Sequence, residues 1–183
     1  MPAQMIDKNI HAPGLLARVA VAKLDDHLPL YSQSEIYARS GVRITRSSMA
    51  QWIGICGARL APLAQALKAF ICSHRVVLAD ETAVSLLAPG KGKTMKAYVP
   101  VYRTTNFEAQ RAVYFDFCAD RSGEHPRRLL VDFHATLVCD DYAGYHALHR
   151  RGVTAALCWA HTRRKVFEAH RDTSSATAGQ ASP

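Results

Sequence analysis

Two pairs of adjacent acids follow apolar stretches. "RVVLADET" (75–82) runs from Val76, Val77, Leu78 and Ala79 into Asp80 and Glu81, and "TLVCDDYAGY" (136–145) runs into Asp140 and Asp141. Asp80 and Asp140 lie 60 positions apart (140 − 80). Two carboxylates held close together repel, so they share a proton or bind a cation. A hard divalent ion such as Mg²⁺ or Mn²⁺ prefers oxygen ligands, and Mg²⁺ keeps several waters. Two such ions roughly 3.5–4 Å apart can activate a nucleophile and stabilise a leaving oxygen in phosphoryl transfer. Taken singly, each acid reads equally well as a helix cap or a turn residue. Asp141 could cap a helix at Tyr142, and Glu81 could face water.

Three further groups have spacings that invite chemistry. "GKGKT" (90–94) lacks the glycine that a phosphate loop needs five positions before Gly92, where Leu87 stands, and strand-like sequence follows it. A basic turn touching a nucleic-acid backbone through Lys91 and Lys93 fits better, and an idle solvated turn fits equally. Cys158 and His161 are spaced Cys-x-x-His, and His146 and His149 are spaced His-x-x-His, but no further pair completes a four-ligand zinc site. His161, Arg163, Arg164 and Lys165 form a basic face on one expected helix, suited to phosphate contact. A plain solvated face is the alternative.

These residues need elements to hold them. Residues 1–12 read as a linker, ended by Pro13-Gly14. Residues 13–73 read as a helical segment. "GLLARVAVAKLDDHL" and "SQSEIYARSG" are its first two helices, the second stopped by Gly41. In the third, Met49, Trp52, Ile53, Cys56, Leu60, Leu63, Leu67 and Phe70 recur at helical spacing. Thr45 or Ser47 would cap it, and Pro62 is a candidate kink. Helix, turn and helix over 32–53 match a helix-turn-helix that brings Arg46, Ser47, Ser48 and Gln51 to DNA. They match an ordinary helical hairpin equally well.

Beyond residue 74 the pattern becomes strand-rich. "RVVLA" (75–79), "MKAYVPVYR" (95–103), "RAVYFDF" (111–117), "ATLVC" (135–139) and "VTAALCW" (153–159) are the expected strands. Helices are expected at "EHPRRLLVDF", "YAGYHALHRR" and "AHTRRKVFEAHR". Short turns give antiparallel neighbours and helical crossovers give parallel ones, so the expected fold is α/β with a mixed sheet flanked by helices. Ligands gather outside the carboxyl ends of strands in such a sheet. Residues 172–183 are small and polar and read as a disordered tail.

The chain has 183 residues, 49% of them hydrophobic, enough for a core. Lys and Arg number 23 against 15 for Asp and Glu, a net +8 that suits a polyanion such as nucleic acid. The five scattered cysteines argue for reduced thiols in the cytoplasm. No uninterrupted apolar run approaches the ~18 residues of a membrane span, and the first residues lack the apolar stretch of a signal peptide.

From about Pro13 to Glu168 the chain resembles the transposases of the insertion sequence 66 family. The pieces that carry the likeness are "GLLARVAVAKLDDHLPLYSQSEIYARSGVRITRSSMAQWI", "LADET", "PGKGKT", "RSGEHPRRLL", "CDDYAGY" and "CWAHTRRKVFE". The resemblance implies an RNase H-like core over 74–171 with a DDE-type acidic triad. It also implies Mg²⁺ or Mn²⁺ as cofactor, element-end and target DNA as partners, and a homo-oligomer at full length. By position Asp80 resembles the first acid and Asp140 the second, while Asp141 stands where the family usually has glycine. The family's third acid, a glutamate, is expected on a helix beyond "CWAH". Glu168 falls in a segment that matches upstream of that glutamate. The expectation is therefore a truncated copy with a partial core. A catalytically silent DNA-binding remnant is the alternative, and an RNase H-like nuclease a weaker one.

Overall fold

A computed structural model describes Ile6, residues 12–88, Gly90 and residues 92–173. Most of the expected linker, the tail beyond Thr173 and Lys91 lie outside the described residues. The contacts divide the chain into Met1–Gln65 and Ala66–Pro183.

The first unit is helical. Helix α1 (Pro13–Leu24) has proline in its first turn, where the missing N–H costs nothing. Helix α2 (Leu30–Arg39) ends before Gly41, whose φ of +79° suits a residue without Cβ. Helix α3 (Arg46–Cys72) begins after Thr45, whose Oγ1 accepts the Ser48 amide at 3.1 Å, so Thr45 is the cap. Leu16, Val19, Ile44, Met49 and Trp52 form the core. Gln33 is buried within it and donates from Nε2 to the carbonyls of Val19 (3.4 Å) and Leu28 (3.2 Å), tying α1 and its following turn to α2.

The apolar stripe of α3 does not serve one core. Met49, Trp52, Ile53 and Cys56 pack with the first cluster, and Leu67, Phe70 and Ile71 with a second. Between them Leu60 and Leu63 are exposed, and the helix runs through Pro62. By length and composition alone, α3 is long and apolar enough to cross a membrane, with a mean hydropathy of 1.3 over 18 residues. Runs interrupted by Gly, Gln and Arg59 conceal this when only unbroken apolar stretches are counted.

The second unit is a five-stranded mixed sheet with helices, as expected. Its strands are β1 (Val76–Leu87), β2 (Thr94–Thr104), β3 (Val113–Phe115), β4 (Thr136–Cys139) and β5 (Thr154–Leu157), in the order β3-β2-β1-β4-β5. The β1–β2 and β2–β3 pairs are antiparallel, and β1–β4 and β4–β5 are parallel. Helices α4 (Glu124–Leu129) and α5 (His146–Arg150) precede β4 and β5, and α6 (Trp159–Thr173) follows β5. Alternation buries Val77, Ala79, Tyr102, Leu137 and Cys139 on one face, with Leu129, Leu130, Phe133, Tyr145 and Leu148. The other alternation is covered less: Leu78, Val101 and Val138 are half-buried, and Asp80 and Phe115 are exposed.

One expected strand is much longer than its sequence suggests. Asp80 does not end β1, which continues seven residues to Leu87 and pairs with β2 from Val77↔Thr104 to Leu87↔Thr94. What ends near Asp80 is the parallel pairing with β4, last seen at Leu78↔Val138. Acidic and threonine residues read as a strand stop, but the hairpin supplies backbone partners that override that preference.

Candidate active site

The parallel register positions the two aspartates. Val76, Val77 and Leu78 sit beside Thr136, Leu137 and Val138, and Asp80 and Asp140 each follow two residues after the last of these pairs. Alternation along β1 puts Asp80 on the less covered face, and Asp140 follows directly on the end of β4. Asp80 Oδ1 accepts the Glu81 amide at 2.8 Å, and Asp140 Oδ1 accepts the Tyr142 amide at 3.2 Å. The second oxygen of each accepts no hydrogen bond from a described residue. Two fixed carboxylates with unspent oxygens match the donor chemistry of a divalent cation. Among the described residues no set of three or more His, Cys, Asp or Glu side chains is grouped so that it could hold a metal ion.

The neighbouring acids are engaged elsewhere. Glu81 pairs with the Arg121 guanidinium, and Asp141 lies 3.5 Å from His146 Nε2. The loop after β4 is packed closely. Tyr145 is buried and hydrogen-bonds Tyr102 of β2, and burial pushes both hydroxyls well above the usual range. The Tyr142 ring meets Tyr145 edge-on at 5.6 Å. A Cβ on Gly144 would overlap the Tyr142 ring, and one on Gly123 would come within 3.1 Å of the Gly144 Cα, so glycine allows a close approach at both positions.

The expected basic face divides. Arg163, Arg164 and Lys165 are exposed on α6. His161, on its first turn, is half-buried and turns Nε2 to within 3.8 Å of Asp80 Oδ1, while Nδ1 is buried without a hydrogen bond. The His161 backbone N–H, then its side chain, hold the Cys158 thiol below its usual range. Burial pushes the Cys139 thiol up to about 11. Lys93 is exposed at the β1–β2 turn. In the first unit Gln51 is exposed, and Arg46 lies 5.8 Å from the Tyr31 ring centroid. Arg121 carries no chemical spacing motif in the sequence. Its only signal there is its place in "RSGEHPRRLL".

The chain is similar to two uncharacterized proteins of Sinorhizobium fredii. It is 37% identical to y4qI over 181 residues, covering 92% of this chain and 34% of that protein. It is 35% identical to y4jD over 182 residues, covering 91% of this chain and 35% of that protein. The chain thus spans about a third of the length of the curated relatives it matches. Among solved structures it is similar to the Drosophila P element transposase strand transfer complex, with TM-score 0.45 and 11% identity, covering 90% of this chain and 45% of that one. A family model described as "Transposase IS66 family" matches residues 8–182. The chain belongs to the IS66 family of transposases.

Proposed function

We propose that this chain supplies two acids of a metal-dependent DNA cleavage and strand-transfer site on an RNase H-like core. The observation that supports the reading is the β1–β4 register, which pairs Leu78 with Val138 two residues before Asp80 and Asp140, in a chain of this family. Asp80 and Asp140 would hold Mg²⁺ or Mn²⁺ through their unspent oxygens. Such an ion would supply Lewis-acid activation of water and neutralise charge on the phosphoryl group. Asp80 and Asp140 serve this chemistry by being held in place, each anchored by one backbone amide. Water cuts a strand at the element end, and the freed 3′-hydroxyl attacks target DNA, with no covalent enzyme intermediate. Lys91, Lys93, Arg163, Arg164 and Lys165 contact phosphates, and Arg46 and Gln51 of the helical unit face DNA. At full length the protein is a cytoplasmic homo-oligomer acting on element ends and target DNA.

The test is Mn²⁺ titration of the purified chain, with Mg²⁺-dependent nicking of supercoiled plasmid alongside. Asp80→Asn or Asp140→Asn is expected to weaken Mn²⁺ binding about tenfold or more. Unchanged affinity in both variants would sink the assignment. A second reading, a DNA-binding chain without chemistry, is favoured by the lack of a three-ligand set among the described residues. It predicts plasmid binding without nicking, and clear nicking removes it.

A further inference from the structure

None of the chemistry above uses "RSGEHPRRLL", which Arg121 opens. The Arg121 guanidinium donates to Glu81 Oε1 through Nε and Nη2. Its carbon lies 4.3 Å from the centroid of the Tyr142 ring. The Tyr142 hydroxyl in turn donates to the Arg121 carbonyl at 2.5 Å. Glu81 follows Asp80 in β1, and Tyr142 supplies the amide that Asp140 Oδ1 accepts. One side chain therefore ties together the two segments that carry the acids. The Glu81 side chain is only 13% exposed, so its pairing with Arg121 is partly shielded from solvent.

We propose that Arg121 is a positioning residue that, through Tyr142, holds the Asp140 loop against β1 and so keeps the two aspartates in place. The proposal rests on the reading of Asp80 and Asp140 as one metal site. The chemistry of the contact selects arginine. Its planar fork meets one carboxylate while its flat face covers a ring, and a lysine ammonium offers neither the fork nor the face. The geometry also accounts for Gly123, whose Cβ would come within 3.1 Å of the Gly144 Cα in the facing loop.

The experiment measures amide exchange at residues 140–145 and Mn²⁺ affinity on the whole chain. The variants are Arg121→Ala, Arg121→Lys, Tyr142→Phe and Asp140→Asn. Arg121→Ala is expected to speed exchange at Tyr142 and Tyr145 about tenfold and to weaken Mn²⁺ binding roughly tenfold, with α1 and α2 unchanged. Arg121→Lys should fall between it and the wild type. Unchanged exchange in Arg121→Ala overturns the proposal, and so does faster exchange with wild-type Mn²⁺ affinity. Should Arg121→Ala not fold, Tyr142→Phe decides: faster exchange at 142–145 supports the tie, and wild-type exchange overturns it. Mn²⁺ binding that Asp140→Asn leaves unaltered overturns the metal-site reading instead, a result distinct from loop exchange.

Discussion

Cys158 is the thiol whose neighbours favour the thiolate. The His161 backbone N–H, then its side chain, lower the Cys158 pKa and so raise the thiolate fraction at a given pH. We expect iodoacetamide near pH 8 to label Cys158 before the buried Cys139, whose pKa of about 11 leaves almost no thiolate there. His161→Phe should remove the side-chain contribution, shift the labelling profile of Cys158 to higher pH and slow labelling severalfold. Peptide mass spectrometry across pH reads the result, and an unshifted profile would refute the contact. The two acids stood out in the sequence because acids directly after an apolar run are unusual, although Asp80 lies inside β1 and not at its end. Arg121 was not, because its partners Glu81 and Tyr142 lie 40 and 21 positions away (121 − 81 and 142 − 121) and only the folded sheet brings them together. His161 was read as part of an exposed basic face, since helical spacing alone cannot tell that the first turn of α6 leans over Asp80.

The elements show the same division between local and long-range signals. Thr45 capping α3 and Gly41 ending α2 were readable because the chemistry of a cap or a stop is local. Thr45→Ala should therefore cost about 1 kcal/mol in urea denaturation. The long β1 was not readable, because its outer half is a strand through pairing with β2 and not through preference. In the exposed middle of α3, a Cβ at Gly57 meets nothing within 4 Å. Gly57→Ala should accordingly stabilise the helix by roughly 0.5–1 kcal/mol, raising the urea midpoint. Gly144→Ala should do the opposite. It must expel the Tyr142 ring, at a cost of about 1–3 kcal/mol, and a wild-type midpoint would contradict the close approach.

At the scale of the molecule, the net charge of +8 predicts DNA affinity that falls steeply with salt. If Arg163 and Arg164 of α6 each neutralise one phosphate, Arg163→Ala combined with Arg164→Ala should flatten the slope of log K against log salt by about 2. Fluorescence anisotropy at several salt concentrations measures it, and an unchanged slope removes α6 from the interface. The β1–β2 hairpin then acquires a meaning in base pairs. Seven residues separate Asp80 from Leu87 (87 − 80), about 23 Å at ~3.3 Å per residue. Laid along a duplex axis that rises ~3.4 Å per base-pair step, that length spans roughly seven steps. On DNA held at the acid pair, the turn bearing Lys93 would mark one edge of the protected stretch. Hydroxyl-radical footprinting should find that edge. Removing two facing residues from each strand, which keeps every remaining side chain on its own face, should draw it inward by about two base pairs.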